Sequence, residues 1–226
     1  MKHLIIFDFD GVVADSEVLA NTELAAMLTE HGLPTTLHDS YDRYMGKRWA
    51  DSEAAIVAQL GTSLPPEFRP TLQTRTRARF ATALEPVAGV LGFIADFKHH
   101  AHAVASSSSP EYLAASLQRF ALTDHFGPNV FSATMVARGK PDPDIFLLAA
   151  TRMKAHPDQC IVIEDSPTGV KAGRAAGMTT IGLLAGSHIR PGHGEQLRAA
   201  GAHHVVNSYA EAKALLHRQG LGPHLS

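Results

Sequence analysis

Residues 4–12 read LIIFDFDGV, and this run indicates which kind of sheet the chain builds. Four apolar residues followed by alternating acids and a glycine are typical of a buried parallel strand that ends in a turn. At the carboxyl end of such a strand Asp8 and Asp10 can converge on one pocket, while Gly11 lets the chain turn away. Clustered carboxylates repel each other, so they need a cation, and Mg²⁺ suits oxygen ligands. These residues alone are equally compatible with an acidic turn that has no function.

Similar apolar runs recur along the chain and alternate with segments of helical pattern. The predicted strands are residues 4–9, 102–105, 160–163, 179–184 and 204–206, and the predicted helices between them are residues 90–99, 111–120, 144–153 and 168–176. Three of these helices follow a capping residue and a proline, as is favoured at helix starts: Ser109-Pro110, Asp142-Pro143 and Ser166-Pro167. The alternation predicts an α/β fold with a parallel sheet and helices on both faces.

Residues 16–83 interrupt this alternation. No strand is predicted there, and residues 18–28, 51–60 and 68–80 have helical spacing. A helical stretch directly after the first strand is best interpreted as an inserted domain. We therefore expect an α/β core made of residues 1–15 and 84–226 and a helical insertion made of residues 16–83.

Composition restricts the partners and the compartment. The 226 residues include 22 acidic and 20 basic residues, so the charge balance gives no reason to expect nucleic acid. No apolar run approaches the ~20 residues that span a bilayer, and the first one is too short for a signal peptide. The only cysteine, Cys160, cannot form an internal disulfide, which fits a reducing cytoplasm. We expect a soluble cytoplasmic protein that binds no membrane; its oligomeric state stays open, with a monomer favoured.

A run of serines follows the second predicted strand. Hydroxyls and free backbone N–H groups at a helix N-terminus are typical of an anion site. Ser108 and Glu111 also have the spacing of a capping box, which explains one or two of the serines but not Ser106. We therefore expect Ser106, with Ser107 beside it, to contact a phosphate group.

Charged residues follow the later strands as well. Lys140 lies in a proline-rich loop, where its charge suits a phosphoryl oxygen or a nucleophile beside it, although a solvated loop lysine is the alternative. Glu164 and Asp165 end the predicted strand 160–163 and could complete a metal site that begins at Asp8. They could also complement the dipole of the next helix, but Ser166 is the better cap and leaves both acids upstream of it.

Taken in order, these four motifs resemble those of the haloacid dehalogenase superfamily of phosphatases and phosphomutases. The matching segments are Asp8-Phe9-Asp10-Gly11-Val12, Ser106, Lys140-Pro141 and Glu164-Asp165-Ser166. Asp15-Ser16-Glu17 and Gly46-Lys47 are similar to the branch that holds β-phosphoglucomutase and sugar-phosphate phosphatases, and the chain looks most like 6-phosphogluconate phosphatase-type hydrolases. The resemblance implies a Rossmann-like core, a site at the carboxyl edge of its sheet, and an α-helical cap.

The resemblance also implies chemical roles. Asp8 would attack phosphorus and form an aspartyl-phosphate, and Asp10 would act as general acid and then as general base. Ser106 and Lys140 would bind the transferring phosphoryl group of a small phosphorylated metabolite. Mg²⁺ would be held by the Asp8 side chain, the Asp10 backbone carbonyl, Asp165 and, directly or through water, Glu164.

One position departs from the mutases that the chain resembles. They carry a histidine five positions after the residue that corresponds to Asp15, where this chain has Ala20. A mutase must keep its phosphoenzyme until the sugar turns over, so hydrolysis is the leading prediction and a phosphomutase is the alternative. A non-catalytic sugar-phosphate-binding regulator is the third possibility, but binding alone does not require both Asp8 and Asp10.

Residues of the insertion are candidates for substrate contacts. Lys47 and Arg48 follow Gly46 in a predicted loop and could meet the anionic or hydroxylated end of the substrate, or they could simply be solvated. Glu17, in the first helix of the insertion, is a further candidate. The fourteen histidines show no spacing of metal ligands, and for His188 and His193, in a glycine-rich loop after the fifth predicted strand, no role is predicted.

Overall fold

The computed structural model describes residues 3–45 and 49–222. The chain divides into two compact units. The α/β unit comprises Met1–Asp15 and Glu85–Ser226, and the helical unit comprises Ser16–Leu84. None of the helices that the structure describes is both long enough and apolar enough to cross a membrane.

The α/β unit is built on a six-stranded sheet. Its strands are β1 (Leu4–Phe7), β2 (Ala101–Ser106), β3 (Val130–Ser132), β4 (Cys160–Glu164), β5 (Thr179–Leu183) and β6 (His204–Val206). All neighbours pair in parallel, in the order β3-β2-β1-β4-β5-β6, which is that of a Rossmann fold. The predicted α/β class with a Rossmann-like parallel sheet is therefore confirmed.

The helices divide between the two units. Within the described residues the helical unit contains α1 (Glu17–Glu30), α2 (Leu37–Arg43), α3 (Trp49–Leu60) and α4 (Phe68–Ala83). The α/β unit contains α5 (Val90–Asp96), α6 (Pro110–Arg119), α7 (Thr123–Phe126), α8 (Asp144–Arg152), α9 (Pro167–Ala175), α10 (His193–Ala199) and α11 (Tyr209–Arg218).

The central position of β1 explains its uninterrupted apolar run. It pairs with β2 on one side and β4 on the other, so all four of its side chains are buried. Leu4 and Ile6 belong to a core cluster that includes Phe146 of α8. Phe7 makes edge contacts with aromatic rings of α5 and α7 instead, at centroid distances of 6.1 and 6.0 Å. Both faces of the strand are therefore covered, and alternation with polar residues would be unfavourable.

Two of the three predicted helix starts are confirmed. Ser109 accepts the N–H of Tyr112 at the start of α6, and Ser166 accepts that of Gly169 at the start of α9. The third is wrong, because α8 begins at Asp144 and the residue before it is Pro143 rather than an aspartate cap. The capping box at Ser108, which was the alternative to a phosphate contact, is also wrong, because Ser109 is the residue that caps α6.

Several elements were not predicted. Strand β3 has only three residues and pairs on one side alone, so no alternation or long apolar run marks it. Helices α10 and α11 were also missed, although both lie against the sheet and bury Leu197 and Leu216. Strand β3 and helix α10 are short and depend on the rest of the sheet, so their local pattern is weak, whereas α11 is as long as α6 and its length does not explain why it was missed.

The helical unit has a small core of its own. Its buried residues come from α1, α3, α4 and the end of α2: Leu24, Met27, Leu28, Tyr44, Ile56 and Phe68. Asn21 is buried in α1, where it accepts a hydrogen bond from Ser40 of α2 at 2.8 Å and donates one to Glu17 at 3.0 Å. These polar bonds fix α1 against α2 because a buried amide must satisfy its hydrogen bonds.

One histidine of the sheet is buried in the α/β unit and contacts a second histidine that is exposed. His102 of β2 is 5% exposed, and its Nδ1 lies 2.7 Å from Nε2 of His125 in α7. Burial, and then the charge of His125, lowers the pKa of His102 from 6.5 to about 3, with smaller contributions from His100 and His99. The unfolded chain therefore takes up a proton near pH 6.5, where the folded chain does not. The stability that neutral His102 supplies is complete above that pH and is lost as the pH falls towards 3.

We predict that His102→Asn flattens the acid branch of the stability profile. Below about pH 6 the wild-type free energy of unfolding should lose up to ~1.4 kcal/mol per pH unit relative to the variant. Urea titrations followed by circular dichroism give the free energy of unfolding of each protein at about ten pH values between pH 7 and pH 4.5. His38→Asn, at an exposed histidine of α2, should leave the slope unchanged. Parallel wild-type and His102→Asn profiles would contradict the prediction.

Candidate active site

Three acids meet at the carboxyl ends of β1 and β4. Asp8 follows β1, and its N–H donates to the carbonyl of Ile163 at 3.0 Å, which continues the pairing of the two strands. Glu164 is the last residue of β4, and Asp165 is the next. Oxygen atoms of Asp8, Glu164 and Asp165 all lie within 4.8 Å of one another, and the three residues are buried. Parallel neighbouring strands thus bring acids from distant parts of the chain to one point.

Lys140 lies among these acids. Its Nζ donates to Asp8 Oδ1 at 2.6 Å, to Glu164 Oε1 at 2.7 Å and to the backbone carbonyl of Ala105 at 3.1 Å. The side chain is only 6% exposed, and its Nζ lies 4.9 Å from the centroid of the Phe146 ring. The three ammonium donors have three acceptors, so the alternative of a solvated loop lysine is wrong.

The acids are electrostatically crowded. Burial, and then the charge of Glu164, raises the pKa of Asp8 well above its ordinary value, although Lys140 opposes the shift. Burial and Glu164 raise the pKa of Asp165 in the same way. Burial alone would lower the pKa of Lys140, but the charges of Asp8 and Glu164 outweigh burial and raise it. With all three acids ionised, one lysine leaves two uncompensated negative charges, which a divalent cation would balance.

Helix α9 fixes Glu164. The hydroxyl and N–H of Ser166 donate to its Oε2 at 2.9 and 3.0 Å, while Lys140 holds Oε1. The carboxyl group occupies the place where residue 169 would carry a side chain, since a Cβ on Gly169 would lie 1.6 Å from Oε1. The serine that begins α9 therefore also orients an acid of the site.

Asp10 has its own hydrogen-bond donors. The Ser108 hydroxyl donates to Asp10 Oδ2 at 2.5 Å, and the Tyr112 hydroxyl donates to Oδ1 at 2.8 Å. Tyr112 also makes an edge contact with Phe9, at a centroid distance of 5.7 Å. Among the described residues, the group that could hold a metal ion consists of three acids and does not include the Asp10 side chain.

The serines at the end of β2 differ in how far they are buried. Ser106 is 1% exposed, and its Oγ accepts the N–H of Ser108 at 3.0 Å, whereas Ser107 is exposed. Ser132, beside Ser106 in β3, donates from its hydroxyl to the Ser108 carbonyl at 2.7 Å. Ser106 therefore reaches the same edge of the sheet as Asp8, in a turn fixed by its own hydroxyl.

Gly11 is required by the turn that follows β1. Its φ of +74° is in the left-handed region, and a Cβ there would lie 1.8 Å from Asp165 Oδ2. Both the backbone conformation and the close approach of an acid exclude a side chain.

The predicted site residues fall into three groups. Asp8, Lys140, Glu164 and Asp165 are brought into contact, and Asp10 and Ser106 are joined to Ser108 at the same edge of the α/β unit. Glu17 lies in the helical unit, where it accepts from Asn21. Gly46, Lys47 and Arg48 lie outside the described residues.

Four contacting residues were missed: Ser108, Tyr112, His188 and His193. His188 Nε2 lies 3.0 Å from Asp165 Oδ2, and His193 Nε2 donates to the Asp165 carbonyl at 2.5 Å. Their only signal in the sequence is the position of each after a strand of the sheet. That position makes a residue a candidate for the site, but it does not show which group the residue contacts.

Comparison with known proteins identifies the family of the chain. A family model of haloacid dehalogenase-like hydrolases matches residues 2–177. The chain is 25% identical over 188 residues to the 6-phosphogluconate phosphatase of Escherichia coli strain K12, covering 83% of this chain and 85% of that protein. It is 31% identical over 181 residues to the phosphorylated carbohydrates phosphatase of Thermotoga maritima, covering 78% and 82%.

A solved structure is similar throughout its length. The crystal structure of a haloacid dehalogenase family hydrolase from Deinococcus radiodurans, with bound phosphate and sodium, has a TM-score of 0.86 and 32% sequence identity, covering 98% of each chain. This chain therefore belongs to the haloacid dehalogenase-like hydrolase family, and its enzyme class is that of a phosphoric monoester hydrolase. The family resemblance predicted from the four motifs is thereby confirmed.

We predict opposite effects for two helical glycines. Gly169→Ala should destabilise the protein by about 1–3 kcal/mol, because the new methyl group must displace the Glu164 carboxyl group. A Cβ at Gly92 in α5 would have no other atom within 4 Å. Gly92→Ala should therefore stabilise the protein by roughly 0.5–1 kcal/mol, because alanine has the higher helix propensity. Urea unfolding of both variants measures the difference. A Gly169→Ala variant as stable as Gly92→Ala would show that Glu164 does not occupy this position.

Proposed function

We propose that the protein is a Mg²⁺-dependent phosphatase that hydrolyses a small sugar phosphate through an aspartyl-phosphate on Asp8. The observation that carries the proposal is the contact of one buried lysine with Asp8 and Glu164, with Asp165 beside them. A carboxylate oriented by a lysine at the end of a central strand is suited to attack phosphorus.

Asp8 is the nucleophile in this scheme. Lys140 holds its Oδ1, so we assign the attack to Oδ2. The Oδ2–phosphorus bond forms while the bond from phosphorus to the ester oxygen breaks. Lys140 stays beside the transferring group and offsets the negative charge on its oxygens.

Asp10 is the general acid and base. It gives a proton to the departing alkoxide, and it then takes one from the water whose oxygen attacks phosphorus and breaks the bond to Asp8. Asp10 is two residues after the nucleophile, and Ser108 and Tyr112 hold its carboxyl group by hydrogen bonds. Such proton transfer contributes about 10²–10⁴-fold to the rate.

The three acids suit a hard divalent cation. We infer that Asp8, Asp165 and Glu164 hold Mg²⁺ together with the backbone carbonyl of Asp10, since their charge exceeds that of the one lysine. A bound Mg²⁺ supplies neutralisation of charge on the phosphoryl oxygens.

The proposed substrate class rests on the relatives. Proteins that hydrolyse 6-phosphogluconate and phosphorylated carbohydrates are similar over most of the chain, which supports a sugar phosphate. We place its phosphate near Ser106, Ser107 and Lys140, and we propose residues 16–83 as a cap that contacts the sugar. Glu17 and residues 46–48 are the candidates for those contacts. The mutases that the chain resembles have a histidine where this chain has Ala20, and its absence favours hydrolysis over the return of the phosphoryl group to a sugar.

We predict that Asp8→Asn lowers the rate of phosphate release by at least about 10³-fold, because an amide oxygen is a poor nucleophile. The amide still accepts a hydrogen bond from Lys140, so the circular dichroism spectrum should not change. Asp158→Asn, at an exposed aspartate before β4, is the matched control and should keep the wild-type rate. Comparable rates for the two variants would refute a covalent intermediate on Asp8.

We predict that removal of divalent cations stops phosphate release and that added Mg²⁺ restores it. The reason is the uncompensated charge of the three buried acids. Phosphate release from a panel of sugar phosphates is measured after treatment with a chelator, and again after Mg²⁺ is returned. Activity that survives chelation would exclude the acidic group as a required metal site.

A further inference from the structure

The segment that follows β5 returns to the acids of the site. The N–H of Ser187 donates to Asp15 Oδ1 at 3.0 Å, just beyond the turn after β1. A few residues later, His193 at the start of α10 donates to the backbone carbonyl of Asp165 at 2.5 Å. His188 lies between these two anchors, so its backbone is fixed on both sides.

The ring of His188 is enclosed beside Asp165. The residue is 4% exposed, and its Nε2 lies 3.0 Å from Asp165 Oδ2, the distance of a donor from a carboxylate oxygen. Glycines make room for the ring, because a Cβ on Gly11 would lie 2.9 Å from its Cε1 and a Cβ on Gly186 would lie 2.6 Å from the same atom. The imidazole therefore fills space that a side chain at either glycine would take.

His188 is placed to orient Asp165 rather than to bind a metal itself. The group of described residues that could hold an ion consists of acids and does not include this histidine. The three ammonium donors of Lys140 are taken by Asp8, Glu164 and the Ala105 carbonyl, and none of these acceptors belongs to Asp165. A donor on the other side of a ligand's carboxylate fixes the plane of that carboxylate and strengthens metal binding.

We propose that His188 is a positioning residue for the metal site, whose Nε2–H holds Asp165 Oδ2 and so leaves the carboxylate in the orientation that binds Mg²⁺. The proposal rests on the proposed function, because it assumes that Asp165 is a metal ligand. It assigns to the loop after β5 a part in metal affinity, and it requires no contact of His188 with the substrate.

A matched pair of variants tests the hydrogen bond separately from the volume of the side chain. His188→Gln and His188→Met have side chains of similar size, but only glutamine has an N–H donor near the position of Nε2. Isothermal titration calorimetry with Mg²⁺, in the absence of substrate, gives the dissociation constant of each full-length protein. His188→Met should bind Mg²⁺ about 10–100-fold more weakly than wild type, and His188→Gln should remain close to wild type.

His102→Met is the control for loss of a buried histidine away from the acids, because His102 pairs with Ile5, three residues before Asp8. Its Mg²⁺ affinity should be unchanged. Circular dichroism confirms that each variant is folded before titration. Equal affinities for His188→Gln and His188→Met, whether both are weakened or both match wild type, would overturn the role of His188. A wild-type protein that binds no Mg²⁺ would instead contradict the proposed metal site itself.

Discussion

The contact of the Lys140 ammonium group with Asp8 and Glu164 is the interaction on which the site depends. Three buried acids lie within 4.8 Å of one another, and carboxylates at that separation in a poorly solvated place repel strongly. Lys140 hydrogen-bonds two of them and fills its third donor with the Ala105 carbonyl, so it fixes both their position and part of their charge. The remaining negative charge is what the site offers to a cation.

The sheet and its turns make this crowding possible. Because β1 pairs with β4 in parallel, Asp8 and Glu164 emerge at the same edge without any long loop to order. Gly11 and Gly169 then remove the side chains that would collide with Asp165 and Glu164. The main-chain geometry holds the acids close together. The stability of the rest of the fold offsets the repulsion between their charges. In the proposed mechanism, Lys140 and a bound cation would supply the fixed positive charge that phosphoryl transfer requires.

The sequence predicted the parallel sheet and the acidic residues for the same reason: both are marked locally. The apolar run of β1 and the acids after two such runs can be read directly, whereas β3 has three residues at an edge and gives no such pattern. The partners of the acids could not be predicted in this way. Whether Lys140 contacts Asp8 or solvent, or whether His188 contacts Asp165, depends on how separate loops fold back to the sheet. The spacing of apolar and polar residues does not show where these loops go.

The position of the cation is the most direct test of this account. Crystals grown with Mn²⁺ in place of Mg²⁺ give an anomalous diffraction signal at the ion, and carboxylates bind both ions readily. The account predicts one anomalous peak within coordination distance of Asp8 and Asp165, with Lys140 still hydrogen-bonded to Glu164 in the same crystal. A peak elsewhere in the protein, or crystals soaked in excess Mn²⁺ without a peak at these acids, would contradict it.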